Sequence, residues 1–461
     1  MRPNISRIDL VHRFNDDVLS VVRDGDRVVL DVRDHKAIGF TPAAAAHADA
    51  IGALGGEGAT LQRLDEIAAA GGDDGAARRA VRYYLERFAF GRLLAWRLTD
   101  GLGTLAAATA LSGRYLPVAS APPAGPLQLD RFAFLRQAEG KAVLESGSAR
   151  ARVEFADRGL ALLAPLLAAP ASAQPGSLAE ALWRLGFFES ADAGESEARR
   201  CWEFHDLLQH ELSRSNRDVG VVGGTDRFEQ EFASPTAIKP AMPGERIALD
   251  PADTSAIRRT SRPLDEVQAA RRSVRRYAAE PLSRNRLGEF LWRVCRTTAH
   301  IDSAKQDLIS RPYPAGGSIN ELEFYVAVRR CDGLEPAVYH YDGHGHALVR
   351  LEGSGRQAAR IVDRSATAMG LGQDDVRPDA TIVIASRLPR LAWKYQRMAY
   401  RASLMNAGVL FHLMYMVATD MGLAPCANGT GDSRLLEAVT GIDPFEETAI
   451  AEFALGVPGP P

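Results

Sequence analysis

Residues 393–423 read WKYQRMAYRASLMNAGVLFHLMYMVATDMGL, and how this run is read decides what kind of protein the chain is. From Leu404 to Leu423 it has the length of a bilayer span, about 20 mostly apolar residues. Asn406, His412 and Asp420 interrupt it, and polar groups inside lipid are costly. The run is therefore expected to be a helix buried in a protein core, and no membrane is expected as a partner. The whole chain suits that reading. Its 461 residues are 46% hydrophobic and 25% charged, the texture of a soluble globular protein, and they allow about three domains of roughly 150 residues each. Lys and Arg number 55 against 58 Asp and Glu, a net charge of −3 that offers nucleic acid no long-range attraction. The N-terminal MRPNISRIDLVHRFNDD carries charges where a signal peptide needs an apolar stretch, so a cytoplasmic location is expected. Cys201, Cys295, Cys331 and Cys426 form no C-x-x-C pair and no zinc spacing, and read as reduced, buried thiols with no metal site.

Outward from that run the chain divides in two textures. The first 200 residues are rich in Ala and Leu and contain one modest unit twice. In the first copy, VLSVVRD and RVVLDV flank Asp24-Gly25-Asp26, a hairpin signal, and helical stretches follow through Leu85. The second opens at Asp130, turns at Glu139-Gly140-Lys141, and has strand-like Ala142 to Glu145 and Arg150 to Phe155 before helices at Leu160 to Leu167 and Ser177 to Phe187. Strands with a few short helices describe a winged helix, and a period this long is a duplication rather than a solenoid. Pro117 to Pro126, PVASAPPAGP, is an extended linker between the copies. The expected domains are a module at 1–112, a second at 127–200, and a third domain at 201–461. Beyond Cys201 a Gly/Pro-interrupted stretch, Asn216 to Pro263, precedes helices expected at Leu264 to Tyr277 and Ser283 to Thr297. A strand at Glu321 to Arg329, a hairpin at Ala337 to Leu351 and strands at Ala380 to Ser386 and Thr448 to Gly456 follow. Without strict βαβ alternation the class is α+β, with a mixed sheet and surrounding helices.

Three segments carry chemistry. Arg271-Arg272-Ser273-Val274-Arg275-Arg276 concentrates guanidinium groups and a hydroxyl within one and a half turns of the expected helix, where Arg271 or Arg272 with Arg275 could grip a phosphate; a solvated basic face is the plainer alternative. Arg311-Pro312-Tyr313-Pro314-Ala315-Gly316-Gly317-Ser318-Ile319-Asn320 is a proline-stiffened turn whose glycines let backbone amides approach a flat ring or a phosphate. Cys426-Ala427-Asn428-Gly429-Thr430-Gly431-Asp432 is a second glycine-rich loop ahead of a helix at Ser433 to Val439, a setting that can hold an anion. No G-x-G-x-x-G follows a strand, which counts against a Rossmann dinucleotide site.

Together, RRSVRRY, RPYPAGGSINELEFYVAV, the 393–423 run, the second glycine loop and the closing TAIAEFALGVP resemble the SagB/McbC-type azoline dehydrogenases, FMN enzymes of the nitroreductase superfamily that act on ribosomally made peptides. The resemblance covers about residues 200–461. The N-terminal half is similar to the tandem winged-helix, peptide-recognition-like modules that precede the catalytic domain in many relatives. The resemblance implies a homodimer with FMN at the subunit interface, an azoline-containing precursor peptide as substrate, and a cyclodehydratase as a possible partner. Arg271, Ser273 and Arg275 match the block that binds FMN phosphate and ribityl. Pro314, Ala315, Gly316 and Gly317 match the loop beside the flavin ring, and Asn428 and Gly429 fall in the second glycine loop. Lys394-Tyr395 matches the adjacent pair assigned catalytic roles. The chain departs from many superfamily members in closing with Val457-Pro458-Gly459-Pro460-Pro461, without the basic residue that helps hold the phosphate.

The expected activity is FMN-dependent oxidation of thiazolines or oxazolines to thiazoles or oxazoles. An NAD(P)H-dependent reductase of nitroaromatics or quinones is the rival enzyme reading, and a non-catalytic peptide- or DNA-binding subunit the alternative from another class. Lys394-Tyr395 and the fused N-terminal modules favour the first. The pair poses a geometric difficulty, since neighbours on a helix point about 100° apart. A helix start near Lys394, with Pro389 and Trp393 close by, is the expected way around it.

Overall fold

The computed structural model describes residues 7–70, 74–217 and 220–460; residues 1–6, part of the charged N-terminal stretch, and the closing Pro461 lie outside them. The chain divides into two compact units, Met1–Gly220 and Val221–Pro461.

In the first unit both sequence copies share one seven-stranded sheet, in the order Ala59–Thr60, Asp9–Phe14, Leu94–Asp100, Gly103–Ala110, Ala151–Phe155, Lys141–Ser146, Ala133–Ala138. The join is antiparallel pairing of Gly103–Ala110 with Ala151–Phe155, with Val153 opposite Ala108. The expected hairpins form: Asp24 faces Arg27, and Glu139 and Gly140 take the positive φ of 52° and 77° that a two-residue turn favours. A separate three-stranded sheet, Val18–Asp24, Arg27–Val32 and Ile38–Phe40, lies in the first copy, followed by helices Ala45–Gly52, Leu61–Ala69 and Asp74–Phe90. The linker after Pro117 is extended but anchored, because Val118 N–H donates to the Arg184 carbonyl and Arg184 Nη1 to the carbonyls of Val118 and Ala119. The first unit runs some twenty residues past the expected boundary at 200. Helix Phe204–Leu212 belongs to it, with Phe204 edge-on to Phe134 at 6.0 Å and Arg131 Nη2 bonded to the Trp202 carbonyl at 2.9 Å.

The second unit is built on a seven-stranded sheet ordered Glu245–Ala248, Ala347–Arg350, Ala337–Asp342, Leu322–Val328, Ala380–Ser386, Thr448–Gly456, Ala424–Asn428. The class is α+β as expected, but strand direction is not mixed: every pairing in this sheet is antiparallel. Leu322–Val328 and Ala380–Ser386 are buried at every residue instead of alternating, because helices cover both faces of the sheet. Phe324 and Val326 pack with Leu410 and Met414 of the long helix Ala399–Asp420 on one side, and Tyr325 and Ala327 with Ile361 and Val362 of helix Gly355–Ala368 on the other.

The long helix is the expected one, buried on one face only. Ala402, Asn406, Leu410, Met414 and Val417 are buried, whereas Leu404, Met405 and Val409 are 39%, 61% and 41% exposed. It is long and apolar enough to cross a membrane, yet packs against the sheet of its own unit. The four cysteines are free thiols, and Cys201 is exposed rather than buried. No cluster of metal-ligating residues occurs among the described residues.

Candidate active site

The arginine block is not helical. Helix Leu264–Ala270 ends at Arg271 (φ −58°, ψ 123°), and from there the chain runs alongside strand Ala424–Asn428, with Val274 N–H donating to the Pro425 carbonyl at 2.8 Å. The expected helix to Tyr277 is thus cut short by a strand-like contact 151 residues away, and the relevant spacing becomes two rather than three or four. Arg271 and Ser273 converge on Tyr415 of the long helix. The Arg271 guanidinium carbon lies 5.4 Å from the ring centre, and Ser273 Oγ is 2.7 Å from the phenol oxygen. Tyr415 also accepts the Ala427 N–H at 2.8 Å, tying the block to the second glycine loop. Arg271, Arg272, Arg275 and Arg276 are exposed, and none pairs with a carboxylate among the described residues. Four unpaired cations beside a hydroxyl and a glycine loop suit an anion such as a phosphate monoester.

In that loop Asn428 is buried, its amide donating to Glu452 at 3.2 Å and its Oδ1 accepting from Thr430 N and Oγ1. Gly429 is exposed. Burial pushes the Glu452 carboxyl up to about 7, with the Asn428 contact opposing.

A second cluster surrounds the first glycine loop. Gly317 (φ +61°), Ser318 (φ +56°) and Asn320 (φ +48°) all adopt left-handed backbone, which curls the loop into a tight turn. Pro314 is exposed, Ala315 and Gly316 half-buried. Lys394 and Tyr395 both reach this turn: a Cβ on Gly317 would lie 2.6 Å from the Tyr395 hydroxyl and 3.3 Å from Lys394 Nζ, and one on Gly316 would lie 4.0 Å from the Tyr395 ring. The expected helix start at Lys394 is instead a helix end. Helix Leu388–Lys394 stops there, and Tyr395 (φ −100°, ψ 118°) opens a two-residue strand paired with Gly223–Gly224. The Lys394 carbonyl accepts the Thr225 and Asp226 N–H groups, so the stop is enforced from a distant segment. The change from helical to extended backbone breaks the 100° relationship and lets two neighbours serve one place.

Three residues that sequence reasoning missed hold the turn from below. Gly316 N–H donates to Asn406 Oδ1 at 3.1 Å, Asn406 Nδ2 donates to both Glu321 oxygens at 3.1 Å, and Ser403 Oγ donates to Glu321 Oε1 at 2.8 Å. Burial raises the Glu321 carboxyl above the usual range, and the Ser403 and Asn406 bonds oppose it. Asn406 had a visible signal as a polar break in the apolar run; Glu321 and Ser403 had none.

The two clusters lie on opposite sides of one helix. Asn406 and Tyr415 are nine residues apart, about 14 Å along the axis and half a turn out of phase. The structure thus brings Arg271 and Ser273 to the loop of Asn428 and Gly429, and Gly316 and Gly317 to Lys394 and Tyr395, as two groups about half a turn apart on the long helix.

An α+β sheet covered on both faces, with an arginine block at one site and a glycine turn at another, agrees with the family comparison: residues 269–457 match the nitroreductase family, and residues 127–219 match the family of the cyanobactin oxidase ThcOx. The second unit is a nitroreductase-type oxidoreductase domain, and the ThcOx match lies in the first unit, in keeping with the resemblance to the SagB/McbC-type dehydrogenases. Among curated proteins it is similar to MJ1384 of Methanocaldococcus jannaschii, which is named as a nitroreductase, at 27% identity over 36% of this chain and 78% of that protein. It is also similar to the trifolitoxin-processing protein TfxB of Rhizobium leguminosarum bv. trifolii, at 25% identity over 32% of this chain but only 39% of TfxB. Among solved structures, a nitroreductase of Ralstonia eutropha JMP134 aligns at 19% identity and a TM-score of 0.37, covering 49% of this chain and 98% of that one. A chain of the E. coli microcin synthetase McbBCD complex with truncated pro-MccB17 bound aligns at 19% identity and a TM-score of 0.35, covering 51% and 88%.

Proposed function

We propose that the protein oxidises thiazoline or oxazoline rings in a ribosomally made precursor peptide to thiazoles or oxazoles, using FMN. The observation that carries this reading is the convergence of Lys394 and Tyr395 on Gly317, which sets a cation and a phenol at the turn the family resemblance puts beside a flavin ring. Residues present at both clusters fit FMN: Arg271, Ser273 and Arg275 for the phosphate and ribityl, Asn428 and Gly429 next to them, and Pro314 to Gly317 as a turn open enough for a flat ring. FMN, when bound, supplies a hydride acceptor. Aromatisation removes an α-proton and a β-hydride from the ring, and one of Lys394 and Tyr395 takes the proton while the other polarises the ring or steadies its partner. Oxygen is the terminal oxidant in this reading.

The active form is a homodimer. What supports this is the half-turn between the two clusters, together with the exposed apolar stripe of Leu404, Met405 and Val409 on the same helix, beside Tyr400 at 45% exposure. A second copy packed on that stripe buries it and supplies the missing half of each FMN site. The N-terminal modules, read as winged-helix-like, grip the leader part of the precursor peptide by β-strand addition, and a cyclodehydratase supplies the azolines.

The test is to release and identify the flavin from purified protein, then incubate the protein with an azoline-bearing peptide in air and follow the mass. FMN and a loss of two hydrogen atoms per ring are expected. Reduction of a nitroaromatic or quinone at the expense of NAD(P)H, with no change in the peptide, would instead support the reductase reading that the similarity to MJ1384 favours.

A further inference from the structure

Arg390 lies on the short helix Leu388–Lys394, about one turn before Lys394, and is completely buried. Its guanidinium binds backbone carbonyls of separate segments. Nη1 donates to the Pro235 carbonyl, and Nη2 to those of Asp307 at 3.1 Å and Ile319 at 2.8 Å. The Arg390 carbonyl in turn accepts Gln306 Nε2 at 3.0 Å, a nitrogen that also reaches Ser234 Oγ at 2.6 Å. Ile319 follows directly on the glycine turn, and its N–H closes that turn on the Gly316 carbonyl at 3.3 Å. One side chain thus bridges the helix that ends in Lys394 and the turn that Lys394 and Tyr395 meet. Other tertiary bonds of the helix run to residues 225–232: Trp393 Nε1 to the Phe232 carbonyl, Arg227 Nε to the Ala392 carbonyl, and the Thr225 and Asp226 amides to the Lys394 carbonyl. The Arg390 charge is poorly compensated for so deep a site. Asp307 offers a carboxylate oxygen 3.9 Å from Nη1, Glu323 and Glu321 attract from further off, and Arg387 repels; burial prevails and lowers the guanidinium to about 10. Nε has no hydrogen-bond partner. A hydrocarbon of similar volume would fill the space without that cost. What the planar fork adds is a fixed spacing between the atoms it binds.

We propose that Arg390 is a positioning residue for ring oxidation: by spanning from the helix to the Ile319 carbonyl it sets where Lys394 and Tyr395 stand over the Gly316-Gly317 turn. This rests on the reading of Lys394 and Tyr395 as the pair that handles the proton. Buried under the helix, Arg390 acts through that pair and not on the ring. Misplacing a group that acts in the transition state costs rate, so Arg390 governs kcat and leaves KM as it is.

The experiment compares the full-length, flavin-loaded protein with Arg390→Met, reading oxidation of an azoline-bearing peptide and, separately, the crystal structure of the variant. Arg390→Met should keep its flavin, lose about tenfold or more in kcat and hold KM. Placed on top of Lys394→Ala/Tyr395→Phe and followed in single turnover, the same change should cost nothing further, because no pair is left to position. An equal loss in both backgrounds would mark a general loosening of the fold and overturn the proposal. The crystal structure decides without reference to the substrate: Lys394 and Tyr395 withdrawn from Gly317 support the role, and a pair unmoved over Gly317 overturns it. Should the parent oxidise no azoline while the pair still shifts in the variant, the functional reading fails and the positioning role of Arg390 stands. If Arg390→Met does not fold, Arg390→Lys, which keeps the charge but loses the fork, is measured in the same way; parent kcat with the pair in place then refutes the proposal.

Discussion

Gly317 and Tyr395 are matched to each other: at +61° the glycine has a backbone few other residues tolerate, and a Cβ there would stand 2.6 Å from the Tyr395 hydroxyl. Gly317→Ala should therefore act mainly through the site. Left-handed backbone costs an alanine about 1 kcal/mol, a shift of a few degrees in melting temperature at most. The displaced phenol should lower ring oxidation by about tenfold or more, as small misplacements of a catalytic group do. Gly316→Ala is the control, because its Cβ would meet nothing closer than 4.0 Å. Equal turnover in the two variants would separate the Gly317 contact from catalysis.

Lys394→Ala and Tyr395→Phe should each retain flavin, yet lower azole formation by roughly 10²–10⁴, the range for lost acid–base catalysis. Flavin absorbance and single-turnover mass change measure the two effects independently. Parent rates in both variants would move the proton transfer to another residue.

Replacing Arg271 and Arg275 by Ala should strip the flavin from the purified protein, because a phosphate loses its charge-assisted partners. The ratio of flavin to protein absorbance reads this directly. Full occupancy in the double variant would return the block to solvated surface.

Glu452 links pH to stability. Its carboxyl titrates at about 7 in the fold because burial disfavours the charged form, against 4.5 for the ordinary side chain. The fold thus holds a proton that the unfolded chain gives up above 4.5. The benefit of the neutral carboxyl is full below that value and is lost as pH rises through about 7. The loss is on the order of 3 kcal/mol at 1.36 kcal/mol per pH unit. Urea unfolding across this window should show the decline in the parent chain and a flatter profile in Glu452→Gln.

A chain starting at Val221 keeps the sheet and both helix layers of the second unit. It should bind flavin as the full chain does and oxidise a free azoline, but process a leader-bearing peptide poorly at low concentration. Equal rates on the leader-bearing peptide would leave the N-terminal unit a role in folding or assembly alone.

Features governed by hydrogen bonds close in sequence were legible from the residues by themselves. Glu139-Gly140 marked a hairpin and the long apolar run marked the helix Ala399–Asp420, because each forms within a few residues of itself; Ala380–Ser386 and Thr448–Gly456 were marked by their apolar composition alone, since their ladder partners are remote. The order of the motifs also carried the superfamily. Contacts between distant segments were decided only by tertiary structure. Val274 bonding to Pro425 straightens an arginine block that local periodicity reads as helix, and Gly223–Gly224 pairing with Tyr395–Gln396 ends a helix where a helix start was expected. The same kind of contact merges two sequence modules into one sheet through Gly103–Ala110 and Ala151–Phe155. It also buries Glu321 against Ser403 and Asn406, a partnership no local pattern announces. A pattern of 3.6 or 2 residues records which face of an element is apolar. It does not record which remote backbone will compete for that element's hydrogen bonds, and in this protein that competition shapes the site.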